Sequence, residues 1–246
     1  MRDDAPAVEK ETLDRVTIDL PHVQQDILKA LKLRTNIDIV LVLINGGPVA
    51  IDWEKKNLDT IVEAFYPGEL GGIGISDVLF GDYNPSGRLP VTIYKKNFVD
   101  LSDFGDYSMS KFPGRTYRYL QVEPLYEFGY GLSYTTFDYQ WYSAPEPRKA
   151  SANVVRTVSL KVTNTGDRDG DHVVPMYISG KHIHDSLPIK ELKGFKKFHL
   201  SAGESEVINF QIGPEHLIHY VDGQRQILAG TYKILIGNLE ETIEVI

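Results

Sequence analysis

From Val154 to Val162 the chain alternates strictly, with Val154, Arg156, Val158, Leu160 and Val162 on one side and Val155, Thr157, Ser159 and Lys161 on the other. A period of two marks a strand with one buried face. Before residue 145 the chain is written mostly in another period. In PHVQQDILKALKL, Val23, Ile27, Leu28 and Leu31 form one helical stripe. Ile37 to Ile44 then runs almost unbroken through apolar residues, the pattern of a strand covered on both faces. Between the two regimes, Ser143 to Asn153 gathers Pro, Ala, Ser and charge without periodicity, as a linker does. The change of period therefore predicts a first unit over 1–142, a linker at 143–153 and a second unit over 154–246.

In the first unit, TIVEAFY reads as a strand or a helix, since Leu58, Ile61, Val62 and Phe65 fit helical spacing; a strand at Ile61 to Tyr66 is expected, ended by Tyr66-Pro67-Gly68. A helix is expected from about Leu70 to Phe80, with Ile75, Val78 and Leu79 inward. After the NPSG turn, LPVTIY alternates like a closing strand. Helix and strand in succession make an α/β unit. In the second unit, HVVPMYI, LKGFKKFHL, SEVINFQI, RQILAG, TYKILIG and ETIEVI join the Val154 segment as about seven strands of a β-sandwich.

The 246 residues are 42% hydrophobic and 24% charged, ordinary for a soluble globular chain. A formal net charge of -8 argues against nucleic acid as a partner, because binding it takes a basic patch. There is no cysteine, hence no disulfide framework and no thiolate metal site. The charged N-terminal stretch MRDDAPAVEKETLDR has no apolar core of the kind a signal peptide carries, and IDIVLVLI is far too short to cross a bilayer. No membrane span or targeting signal is expected in this chain.

YPGELGGIGISDVLFGDYNPSGRLPVTIY, Tyr66 to Tyr94, holds six glycines and three prolines in 29 residues. Gly72-Ile73-Gly74 opens like a dinucleotide fingerprint, but Asp77 stands where the third glycine belongs, and Glu69 would repel a pyrophosphate. The better account gives Gly68, Gly71, Gly72 and Gly74 a backbone role: unusual angles and close approach of a helix to the sheet.

NGGPVAIDW, the Tyr66 to Tyr94 stretch, GRTYRY and PLYEFGYGLSYTTFDY, in that order, resemble the C-terminal region of family 3 glycoside hydrolases, in particular the β-xylosidase and β-glucosidase branch. VTNTGDRDGDHVVPMYI, KELKGFKKFHLSAGESEVINF and LAGTYKILIGN resemble the fibronectin type III-like domain that ends such enzymes. The resemblance implies an α/β sandwich, incomplete in this chain, followed by an all-β fibronectin type III-like sandwich. It also implies an extracellular retaining exo-β-glycosidase whose N-terminal barrel is missing from this chain, acting on β-linked oligosaccharides or glycosides in plant polysaccharide breakdown. No cofactor is implied. Retention needs two carboxyl groups about 5 Å apart. The family draws its nucleophile, an Asp, from the barrel, and its acid/base from a Glu just upstream of a segment like DRVTIDLPHVQQDIL; Glu9 and Glu11 occupy that place here. The chain by itself is then inactive.

Other residues compete for attention. His182 and His184 have the spacing that puts two rings on one face of a strand, but two histidines without a third ligand make a weak metal site, and none is expected. Arg115, Tyr117 and Arg118 are candidates for substrate contact within the implied enzyme, although aromatics such as those of TYRYL more often pack between domains. Ser133, Thr135 and Thr136 have no His–Asp relay in the sequence. Two functions remain: the C-terminal part of a β-glycosidase, or a non-catalytic carbohydrate-binding or scaffold module that docks onto a separate barrel. The choice among xylose, glucose and arabinose is not written in these residues.

Overall fold

The computed structural model describes residues 15–34, 36–143, 149–150 and 155–246. The first unit runs through helix α1 (His22–Arg34), strand β1 (Val40–Leu43), helix α2 (Asp52–Asn57), strand β2 (Thr60–Glu63) and helix α3 (Gly71–Phe80), then the single turns α4 (Phe98–Leu101) and α5 (Thr116–Tyr119). β1 and β2 are parallel, from Val40 opposite Thr60 to Leu43 opposite Glu63. Parallel neighbours need a crossover, and the segment carrying α2 provides it. Leu20, Leu43, Val49, Ile51, Ile93 and Leu125 form the buried core of this unit.

That core is small, and much of the apolar surface around it faces outward. Of the α1 stripe, Leu28 packs against the core, whereas Val23, Ile27 and Leu31 are exposed at 70%, 54% and 45%. The run expected to be a strand covered on both faces is extended only over Val40–Leu43, with Ile37 and Ile44 exposed at its ends. Among the described residues β2 is its one strand neighbour, so no layered sheet encloses it. β2 ends at Glu63 rather than Tyr66, because Phe65 takes a left-handed backbone with φ 48°. LPVTIY is not a closing strand. Leu89 N–H donates to Tyr130 O at 2.8 Å and Ile93 N–H to Tyr126 O at 2.9 Å, but only the isolated bridge at Ile93 is formed. Pro90 brings no amide hydrogen to that stretch.

The glycines divide as well. Gly68 has φ 76°, which only glycine adopts without strain. A Cβ on Gly71 would stand 2.3 Å from Pro67 Cγ, so its lack of a side chain admits the proline ring. Gly72 and Gly74 have no described atom within 4 Å of a Cβ position, and neither brings α3 against the sheet.

The second unit contains β3 (Phe137–Ser143), β4 (Lys149–Ala150), β5 (Arg156–Asn164), β6 (Gly170–Ser179), β7 (Glu191–Leu200), β8 (Ser205–Ile212), the turn α6 (Pro214–Leu217), β9 (Ile218–Val221), β10 (Gln224–Ile227), β11 (Gly230–Ile236) and β12 (Leu239–Val245). Each of the seven expected segments contains a strand. They form two sheets, β3-β5-β8 and β4-β12-β11-β6-β7, with β9 and β10 as a separate hairpin. The alternation in β5 puts Val158, Leu160 and Val162 at 0% exposure, in one continuous core with Val174, Met176, Ile178, Phe210, Tyr232 and Ile234. β3, upstream of the expected linker, pairs antiparallel with β5 and supplies one outer strand of the smaller sheet. His182 and His184 lie in the turns between β6 and β7, not on a strand, so no alternation aligns their rings. His184 Nδ1 sits 2.7 Å from Ser186 Oγ.

The NPSG turn joins the two units. Asn84 Nδ2 donates to the Asp169 carbonyl at 2.9 Å, while Asn84 Oδ1 accepts from Ser133 Oγ at 2.9 Å and Tyr134 N–H at 2.7 Å. Arg88 donates through Nη1 to Gly87 O and Leu132 O, and through Nη2 to His172 Nδ1 at 3.4 Å. His172 is buried, stacked on Phe137 at 3.9 Å, and its Nε2 meets the Tyr139 hydroxyl. A guanidinium can only donate, so Nδ1 is bare and the proton of the neutral ring sits on Nε2. Burial, with the Arg88 charge adding to it, brings the imidazole down to about 4, and burial pushes the Tyr139 hydroxyl up to about 12.

A depressed folded-state value means that the unfolded chain, with histidine near its usual 6.5, takes up the proton first as pH falls. The contribution of His172 is therefore complete above about pH 6.5, declines toward about pH 4 and is lost below, a span worth roughly 3 kcal/mol. Urea midpoints measured across that window should fall with pH, and His172→Gln should flatten the slope; an unchanged slope would remove His172 as the cause. Amides of Val40 to Leu43 should also exchange with solvent faster than those of Leu160 to Val162, since one strand pair is marginal alone; equal protection would contradict the burial pattern.

Candidate functional site

In sheets with parallel strands, ligand sites collect at the carboxyl ends of the strands. At those ends stand Asn45, two residues beyond β1, and Glu63, the last residue of β2. Asn45 Nδ2 donates to Gly47 O at 2.8 Å and to Glu63 Oε2 at 3.3 Å, and Phe65 N–H donates to Glu63 Oε1 at 3.1 Å. Burial raises the Glu63 carboxyl above its ordinary range despite those two hydrogen bonds. Asn45 Oδ1 is buried with no hydrogen-bond partner among the described residues. A Cβ on Gly46 would lie 2.7 Å from the Tyr66 ring, so glycine at that position lets the turn close over Tyr66.

Arg15 binds this turn from the N-terminal side, donating through Nη2 to Pro48 O at 3.1 Å. Glu9 and Glu11 precede it in sequence and lie outside the described residues. Neither Asn45 nor Glu63 stood out in the sequence. The signal for both is their place after strands that prove to be parallel, and that needs the topology.

Arg115, Tyr117 and Arg118 do not converge on one point. Arg115 Nη2 donates to Asp103 O at 3.1 Å and Asp106 O at 2.5 Å and lies 3.4 Å from Ser102 Oγ, holding the 102–106 loop. Tyr117 and Arg118 turn instead toward the sandwich. Tyr117 stacks on Phe128 at 4.4 Å, meets Tyr177 edge-on at 5.8 Å, and its hydroxyl accepts Leu192 N–H at 3.2 Å. Arg118 Nη2 donates to Glu191 Oε1 at 2.5 Å, and its carbonyl accepts Ile189 N–H at 2.6 Å. The bend that separates the two directions is built at Gly114, φ 77°, where a Cβ would stand 1.9 Å from Tyr119 O.

Glu191 is the charged centre of this second contact. Arg118 reaches it from the first unit, Lys193 at 3.2 Å and His219 at 3.5 Å from the second. Burial alone would raise its carboxyl; the hydrogen bond from His219 and the charges of Lys193 and Arg118 outweigh it and bring it down to about 2. The group is thus ionised throughout the physiological range and serves as an anchor, not as a proton donor. Ser133, Thr135 and Thr136 are engaged in the same joint: Thr135 Oγ1 donates to Asn164 Oδ1 at 2.6 Å, and Thr136 and Thr165 hydroxyls are 2.8 Å apart. Among the described residues no three side chains of metal-ligating type cluster.

Comparison with known proteins accounts for both units. Residues 2–134 match the glycosyl hydrolase family 3 C-terminal domain, and residues 172–240 match the fibronectin type III-like domain. Over 227 residues the chain is 40% identical to xylan 1,4-beta-xylosidase of Xylanibacter ruminicola, an alignment that covers 91% of this chain and 25% of that protein. It is also 40% identical over 215 residues to the periplasmic beta-glucosidase of Salmonella typhimurium, covering 84% of this chain and 28% of that one. The crystal structure of the family 3 beta-glucosidase of Bifidobacterium adolescentis superposes with a TM-score of 0.81 at 31% identity, over 97% of this chain and 37% of the other. The chain spans about a quarter to a third of the length of the curated relatives it matches. With the α/β unit and the sandwich matched in the same order, the chain belongs to glycosyl hydrolase family 3, of which it carries the C-terminal region.

Proposed function

We propose that this chain is the C-terminal part of a retaining, exo-acting β-glycosidase of the β-xylosidase or β-glucosidase type, working outside the cytoplasm on β-linked oligosaccharides. The support is the extent of the likeness: both units match in order, and the relatives are named as glycosidases. In this reading the nucleophile is an Asp on a barrel beyond these 246 residues, since such a barrel takes about 250 residues of its own. The acid/base is Glu9 or Glu11.

Arg115, Tyr117 and Arg118 contribute in this reading by holding the 102–106 loop and the joint between the units. The division at a linker over 143–153 belongs to it too, with β3 crossing back as the outer strand of the sandwich. The exposed apolar side chains of Val23, Ile27 and Val40 suit cover by the barrel. That cover also suits the second function, a non-catalytic module docked on a separate barrel. Relatives of equal identity carry the names of different sugar specificities, so the choice between xylose and glucose stays open.

The chain alone should not hydrolyse aryl β-xyloside or aryl β-glucoside, because one member of the carboxylate pair is missing. Supplied with a family 3 barrel from a close relative, it should turn over one of them, and Glu9→Gln or Glu11→Gln should lower that rate by about a hundredfold or more. Turnover by the chain alone would overturn the proposal. A stable complex without turnover would favour the non-catalytic module.

A further inference from the structure

Tyr83, Asn84 and Arg88 all reach from the first unit to the sandwich, and only the last does so under shelter. The Tyr83 hydroxyl donates to Asp171 Oδ2 at 3.2 Å and Asn84 Nδ2 to the Asp169 carbonyl at 2.9 Å, both at exposed positions where water competes for the same groups. The Arg88–His172 contact is half-buried. A polar contact out of water costs more to leave half-made than an exposed one, so this one sets how firmly the turn is held.

The His172 ring, on β6, is enclosed from three sides. Arg88 Nη2 stands 3.4 Å from Nδ1; β3 supplies the Phe137 ring, stacked at 3.9 Å, and the Tyr139 hydroxyl on Nε2; β7 supplies Phe198, edge-on at 6.3 Å. One of these groups is a cation and the others are neutral. The Tyr139 hydroxyl, pushed up to about 12 by burial, keeps its proton and brings no negative charge. Asp171, next in the chain, alternates to the other face of the strand, where it meets His199, Lys197 and Tyr83. Among the described residues no carboxylate faces the ring. A proton added at Nδ1 turns the acceptor that Arg88 has on the sandwich into a donor and sets two cations side by side without a counter-ion.

The Arg118 contact answers acid differently. Glu191 is ionised down to about 2 and a guanidinium keeps its charge, so the Arg118–Glu191 bond is intact over the whole range in which His172 takes up its proton.

We propose that the Arg88–His172 contact is an acid-released clasp: protonation of His172 frees the 84–88 turn from the sandwich, and the α/β unit loosens while the sandwich stays folded and the Arg118–Glu191 bond keeps the two units together. Released histidine titrates near its usual 6.5, against about 4 in place, so release grows about tenfold for each pH unit below 6.5 and roughly 300-fold in all by pH 4.

Native-state hydrogen exchange on the full chain tests this, with protection factors taken between pH 6.5 and 4.5 so that the intrinsic pH dependence of exchange is removed. Amides of Leu89, Ile93 and Tyr134, which the turn and its neighbours brace, should lose about tenfold in protection per pH unit, and those of Val158, Leu160 and Val162 should not. His172→Gln keeps an acceptor for Arg88 and takes up no proton, and the other six histidines are unchanged in it, so the loss should vanish. Should that variant fail to fold, Arg88→Met removes the partner instead, and the same three amides should be poorly protected at pH 6.5 already. No loss in the wild type, a loss shared equally by both units, an unchanged slope in His172→Gln, or wild-type protection at pH 6.5 in Arg88→Met would overturn the proposal.

Discussion

Asn84 and Arg88, four residues apart on one turn, fasten an under-cored α/β unit to a sandwich that can stand by itself. Among the described residues the core cluster of the sandwich holds sixteen buried residues and that of the α/β unit six. A parallel strand pair with exposed helices around it has too little apolar burial to be stable alone, so its shape depends on being held from outside. The turn does this with Asn84 Nδ2 on the Asp169 carbonyl at 2.9 Å and Arg88 Nη2 on His172 Nδ1 at 3.4 Å, while Tyr134 N–H to Asn84 and Arg88 to Leu132 O brace the turn within its own unit. Backbone partners are fixed in position, so little side-chain freedom has to be frozen to make each bond.

The second fastening is ionic. Arg118 and Glu191 are 73 residues apart in sequence and 2.5 Å apart in space. Removing one member of such a pair leaves a half-buried charge without compensation, which is destabilising well beyond the worth of the bond itself. Glu191 is better protected than most, because Lys193 and His219 remain on its other side. The same contact holds Tyr117, whose hydroxyl accepts Leu192 N–H and whose ring stacks on Phe128.

How much of this was legible beforehand depended on whether the signal was local. β5 could be read from its own alternation, since Val158, Leu160 and Val162 need one side of a sheet and nothing more. α1 could be read as a helix, but the stripe of Val23, Ile27 and Leu31 says only that something should cover it, and among the described residues the cover is slight. LPVTIY alternates, yet Pro90 and the lack of a continuous partner leave only a bridge. β3 carries no turn signal to announce it and takes its identity from β5 beside it, whereas β9 is joined to β10 by Asp222-Gly223, a two-residue hairpin signal. The candidate site was legible only through family likeness, as Glu9 and Glu11 with Arg115, Tyr117 and Arg118. Asn45, Glu63 and the Arg118–Glu191 pair depend on contacts between distant segments, which no window of sequence contains.

The dependence of the α/β unit on its joint to the sandwich has a direct test, because the chain has two tryptophans, Trp53 in α2 and Trp141 in β3, one in each unit. Trp141→Phe leaves a reporter in the first unit and Trp53→Phe leaves one in the second. Urea unfolding of each, with and without the pair Asn84→Ala and Arg88→Ala, separates the stabilities. Loosening the joint should move the Trp53 midpoint to lower urea while the Trp141 midpoint stays nearly in place. A Trp53 midpoint that does not move, or two midpoints that fall together by the same amount, would contradict the account.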